Sequence, residues 1–112
     1  MPTQQILTDL LTRISIRREE HRVLVERLNE LESTKTQILL GKELYSVEFV
    51  IKFKDSNQVP YWHVSDTKNM VGTVNQTLTD EIEIIEDKLI ALNVTIQKDL
   101  EEYARKLNEE FS

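Results

Sequence analysis

The chain has 112 residues, of which 30% are charged, with only two glycines, two prolines and no cysteine. That size allows a single domain, 1–112, and the lack of cysteine excludes a disulfide framework and thiolate chemistry. The net charge of −6 arises entirely in residues 73–112, which hold four basic and ten acidic groups, so direct binding to a nucleic-acid backbone is not expected.

The start, Met1-Pro2-Thr3-Gln4-Gln5, lacks the basic and apolar regions of a signal peptide, and no apolar run approaches membrane-spanning length. A cytoplasmic protein without membrane association is the expectation. From Thr3 to Leu40 there is neither glycine nor proline. A seam at steps of three and four runs Leu7, Leu10, Ile14, Arg17, His21, Leu24, Leu28, Leu31, Lys35, Ile38, a heptad pattern that predicts a helical arm over 3–40. Leu11, Val25 and Leu39 widen its apolar stripe. Gly41 is placed to end the helix as its C′ residue. Arg17, His21 and Lys35 are polar seam positions. Either their stems lie along the seam with the heads in water, or they make specific pairs across to a second helix.

The middle of the chain changes period. Tyr45, Val47, Phe49, Ile51 and Phe53 alternate with mostly polar residues, as in a half-buried strand. Asp55, Ser56, Asn57 and Gln58 are turn formers, and Val59 to Val64 is a second β-rich run. The prediction is a β-hairpin over 44–65, with Pro60 at an edge or before the pairing begins. An isolated two-stranded ribbon is marginal in water and needs a cover for its apolar face.

The second arm is predicted over 73–111, with Thr73 and Gln76 fitting a capping box. Its seam reads Val74, Leu78, Ile82, Ile85, Leu89, Leu92, Ile96, Leu100, Tyr103, Leu107, Phe111, with two successive steps of four after Leu92 that read as a stutter. Ile84, Ile90 and Val94 are apolar but lie off the seam, implying more than one neighbour. Arms of nearly equal length joined by a central turn fold back antiparallel. Sliding that register by less than one heptad brings Arg17 near Asp99 and Lys35 near Glu81. The fold class is therefore mainly α with a small β element: two long antiparallel coiled-coil helices joined through a central β-hairpin.

Within the second arm, Asp80, Glu81, Glu83, Glu86 and Asp87 put five acids in eight residues. Their expected neighbours on the first arm, Glu26, Glu30 and Glu32, are also acidic. The stretch is either a solvated face near a helix start, where acids suit the dipole, or a patch kept for a basic partner. Tyr61 and Trp62 offer a second choice, a cap on the core or an aromatic anchor for a partner.

Reactive motifs are missing. His21 and His63 have no cysteine or paired histidine beside them, and two glycines make no phosphate-cradling loop. No metal, cofactor or small-molecule substrate is expected, and the chain does not read as an enzyme.

The seam Leu7 to Ile38, the ribbon Leu44-Tyr45-Ser46-Val47-Glu48-Phe49-Val50-Ile51-Lys52 and the seam Leu78 to Phe111 together resemble the β-type subunits of prefoldin and related small coiled-coil chaperones. The likeness spans nearly the whole chain and is architectural. Where that family has a ribbon glycine, this chain has Phe49-Val50-Ile51. The resemblance implies hairpins assembling between subunits and clients held at arm ends, here near Leu7, Leu10, Leu11, Leu107 and Phe111. Two functions are thus expected to compete. One is a non-catalytic homo-oligomer acting by protein–protein binding, such as a prefoldin-like holdase chaperone, assembled through Tyr45, Val47, Phe49, Ile51, Phe53, Ile84, Ile90 and Val94. The other is a small acidic inhibitor or adaptor of viral or phage type, binding a host protein through its acidic second helix.

Overall fold

The computed structural model describes residues 2–50, 52–55, 61–64 and 67–111, without the side chains of Pro2, Phe49 and 61–64. The order of elements is helix α1 (Pro2–Leu39), strand β1 (Val47–Val50), strand β2 (Tyr61–Val64), a 3-10 turn (Lys68–Met70) and helix α2 (Val71–Phe111). The fold class is the expected one: two long helices joined through a small antiparallel β element. The residues fall into two compact units, Met1–Glu30 with Ile82–Ser112, and Leu31–Glu81.

In the first unit the chain direction of α1 opposes that of α2. Arg17 of α1 pairs with Asp99 of α2, and Glu20 and Leu24 share a depression with Lys88, Ala91, Leu92 and Thr95. Leu10 and Ile14 from one helix and Ile82 and Ile85 from the other are the buried apolar side chains, and all four are seam residues. Full burial of a leucine or isoleucine side chain contributes roughly 1.5–3 kcal/mol, so these few residues dominate the packing of the unit. Leu7, Leu24, Leu28, Leu89, Leu92 and Ile96 are half-buried along the same seam.

The seam departs from expectation at its polar step. Asp99, not Leu100, is buried, at 6% exposure, while Leu100 is half-buried. The course Leu92, Ile96, Asp99, Tyr103 keeps steps of four, three and four, so the heptad continues through a carboxylate instead of stuttering. Arg17 makes this tolerable by donating a hydrogen bond from Nη1 to Asp99 Oδ2. A buried charge without such a partner is strongly unfavourable. The second expected cross-arm pair does not form: among the described residues no ion pair joins Lys35 to Glu81.

The second unit is built around the end of α1. Gly41 has φ +83°, and the Gly41 and Lys42 amides donate to the carbonyls of Ile38 and Gln37, both at 3.1 Å. This is a Schellman ending, which a Cβ at Gly41 would strain by about 1–2 kcal/mol. The strands pair antiparallel, Val47 with Val64, Glu48 with His63, Phe49 with Trp62 and Val50 with Tyr61. The described pairing is shorter than the alternation 45–53 suggested. Tyr45 precedes β1, and Lys52 and Phe53 follow it outside any strand. Thr67 Oγ1 donates to the Leu44 carbonyl at 3.0 Å and ties the approach to α2 back to the residue before the ribbon. α2 then begins at Val71, two residues before the expected capping box. Thr73 and Gln76 are therefore interior, and Gln76 Nε2 donates to Asp80 Oδ1 at 2.8 Å instead of capping.

Candidate protein-binding surface

Because α2 turns ~100° per residue, a helix that points Ile82, Ile85, Leu89 and Leu92 at a neighbour must turn other residues away. Glu83, Asp87, Ile90 and Val94 follow at steps of four, three and four on the far side. Ile90 is 64% exposed and Val94 is 51% exposed, and Ile84 beside them is 47% exposed. Large β-branched side chains left in water on a helix are weak helix formers with nothing to gain from exposure, and among the described residues none covers this face.

The acids of the same face are unpartnered as well. Glu83, Glu86 and Asp87 are exposed, and among the described residues none of them has an ion pair or hydrogen-bond partner. Asp80 is exposed and accepts a hydrogen bond from Gln76, and Glu81 is half-buried. The carboxylates of α1 behave differently. Arg22 bridges Glu19 and Glu26, and Arg27 lies 3.9 Å from Glu30. The Arg22 guanidinium holds the Glu19 carboxyl below its ordinary value by hydrogen bonding, and Glu19 in turn raises the arginine. Glu26 and Glu30, two of the acids expected to oppose the α2 stretch, are thus neutralised along their own helix.

A second surface of this unit was not anticipated from the sequence. Glu19, Glu20, Val23 and Leu24 line a depression of about 370 Å³, and Glu20 and Leu24 also line the neighbouring one of about 350 Å³ together with Lys88, Ala91, Leu92 and Thr95. The two adjoin at Glu20 and Leu24. Val23, which lines the first, is 50% exposed, and Ile16, seven residues earlier on α1, is 55% exposed. Their spacing of seven is the sequence signal, carried by only two residues, both off the α1 seam.

The described ribbon residues differ in their exposure. Tyr45 is 95% exposed and Phe53 is 59% exposed, whereas Val47 is half-buried. Ile51 and the side chains of Phe49, Tyr61 and Trp62 lie outside the described residues, although β2 places Trp62 opposite Phe49 in the ladder. At the far ends of the helices, Leu10 is fully buried, Leu7 and Leu107 are half-buried, and Leu11 and Phe111 are exposed. Part of the expected client-holding end is therefore ordinary core. Among the described residues no group of three His, Asp or Glu side chains is arranged to hold a metal, and no helix is long and apolar enough to cross a membrane.

No protein-family model, no curated protein and no solved structure matches this chain.

Proposed function

We propose that this chain acts without catalysis, by binding other proteins through the outer faces of its helices. The observation that supports this most is the distribution of large apolar side chains. Leu10, Ile14, Leu31, Ile82 and Ile85 are the buried ones among the described residues, while Ile16, Val23, Ile84, Ile90 and Val94 stand in water on both helices. Exposed apolar groups that recur along a helix mark surfaces kept for a partner. In its most specific form the reading is a prefoldin-like holdase that self-associates and shields unfolded clients in a cytoplasmic setting. The depression at Val23 and Leu24 in one unit, and separately Tyr45 and Phe53 in the other, would each supply apolar area for copies or clients.

The test is suppression of aggregation. A chemically denatured enzyme diluted into buffer should scatter less light when the chain is present at equal molarity, and static light scattering of the chain alone should give more than one copy. Unchanged client aggregation would remove the holdase, and a monomer mass at all micromolar concentrations would remove self-association. A second reading, a small acidic inhibitor or adaptor, is favoured by the unpaired Glu83, Glu86 and Asp87. Recovery of one specific partner at one-to-one stoichiometry would support it over the holdase.

A further inference from the structure

We infer that the outer face of α2 from Glu83 to Val94 is a docking strip for a basic amphipathic helix of a different protein. The inference rests on the protein-binding reading and names the partner chemistry.

The strip is polarised along its length. Its first turn presents Glu83, Glu86 and Asp87, exposed and without ion-pair partners among the described residues. Its last turn presents Ile90 and Val94, while Ile84 flanks the acidic end. Glu83 and Val94 are about 16 Å apart along the axis, three turns of helix, so a partner of matching form is itself a helix laid alongside. Such a partner needs Lys or Arg at one end of its face and Leu, Ile or Val at the other. Apolar contact then supplies affinity, while charge fixes direction and speeds encounter.

A second copy of the same strip fits poorly. Paired antiparallel about a two-fold axis, Glu83 and Asp87 of one copy would rest on Ile90 and Val94 of the other, desolvating carboxylates against hydrocarbon. Paired parallel, carboxylate would meet carboxylate. Some of the chain's own cations are held already, Arg17 by Asp99, Arg22 by Glu19 and Glu26, and Arg27 by Glu30. Anionic lipid and nucleic acid are repelled by the same three acids. The occupant that complements both ends of the strip is a cationic amphipathic helix.

The test uses the full chain and two fluorescein-labelled synthetic helical peptides of about 18 residues. Both have a Leu stripe at one end; one carries Lys and the other Glu at the remaining stripe positions. Fluorescence anisotropy should show the Lys peptide binding and the Glu peptide binding at least about tenfold more weakly. Ile90→Ser with Val94→Ser should weaken the Lys peptide about tenfold or more. Glu83→Gln, Glu86→Gln and Asp87→Asn together should weaken it roughly tenfold and flatten its salt dependence, with circular dichroism unchanged in both variants. Equal binding of the two peptides, or failure of the native chain to bind the Lys peptide, would overturn the inference. Binding unaffected by either set of substitutions would place the contact elsewhere, sinking the strip while leaving the broader reading intact. A native dimer that the Ile90→Ser, Val94→Ser variant converts to monomer would make the strip a self-interface and likewise overturn it. Aggregation suppression is a separate readout, so loss of the general reading is distinguishable from loss of this one.

Discussion

α1 and α2 are nearly equal in length, 38 and 41 residues, and contribute similar seams, yet exposed acids at the middle of α1, Glu19, Glu26 and Glu30, are ion-paired, while among the described residues those in the first half of α2 are not. On α1 the acids and bases are interleaved at spacings of three and four, and Arg22 and Arg27 satisfy Glu19, Glu26 and Glu30 within the helix. On α2 five acids, Asp80, Glu81, Glu83, Glu86 and Asp87, come before the first base, and only near the end do Arg105 and Lys106 pair with Glu109 within the helix. One carboxylate, Asp99, turns inward to meet Arg17, and Glu83, Glu86 and Asp87 face solvent without partners among the described residues. α1 thus satisfies Glu19, Glu26 and Glu30 on its own helix and sends Arg17 across, while α2 pairs Glu109 locally, turns Asp99 inward and leaves Glu83, Glu86 and Asp87 facing outward. The same division separates buried from exposed apolar groups on α2, with Ile82 and Ile85 inward and Ile84, Ile90 and Val94 outward.

This contrast can be broken most visibly at the seam. Leu10→Ala removes a fully buried side chain, and we expect a loss of about 3 kcal/mol in urea unfolding. A change under 1 kcal/mol would mean the α1 seam is not where the unit packs. Arg17→Ala leaves Asp99 buried and unpaired, with Arg17 30% exposed and the Asp99 side chain 9% exposed. A loss of roughly 3 kcal/mol is expected, toward the low end of the range for broken buried pairs because the arginine is partly solvated. Arg17→Met combined with Asp99→Leu should recover most of it, and failure to do so would show that packing around the pair matters more than its charge.

The seam legible in the sequence and the seam in the structure agree where hydrophobic period decides the matter. Gly41 ended α1 as expected because only a residue tolerant of positive φ closes that turn. The neighbourhood of Arg17 and Asp99 was also foreseeable, since opposite charges on facing helices select register. Asp99 itself was not read as core, because an apolar Leu100 stood next to it and periodicity counts apolar residues only. A carboxylate takes a seam position when a cation from the other helix reaches it, and that is tertiary information. Gln76 misled for a related reason: its amide satisfies Asp80 one turn later as readily as it would cap a helix start. The depression that Glu20 and Leu24 share with Lys88, Ala91, Leu92 and Thr95 needed both helices in place before it existed. Ile84, Ile90 and Val94 were legible because they broke an otherwise regular seam.

Smaller effects sharpen the comparison on the outer faces. Neutralising Glu83, Glu86 and Asp87 together should leave the unfolding midpoint unchanged or raise stability by a few tenths of a kcal/mol per close pair, since Glu83 and Asp87 are like charges one turn apart. A clear loss would show that these acids stabilise the fold and are not held for a partner. The effect on α1 is smaller still and depends on pH. Arg22 holds Glu19 below its ordinary 4.5, so the stabilisation is present above about that pH and fades as pH falls through the lowered folded value. Glu19→Gln should flatten the stability profile in that acidic window alone, and an effect at neutral pH that persists unchanged below it would rule out this pair as the cause.

The most direct test of the division between a structural seam and an outward binding face is the urea midpoint of the Ile90→Ser, Val94→Ser variant, measured at a concentration where the chain is dilute. Both side chains are more than half exposed, so the account expects stability within about 0.5 kcal/mol of the native chain. A concentration-independent loss above about 1.5 kcal/mol would show that the chain already covers this face itself, and the outer face of α2 would then belong to the fold and not to a partner.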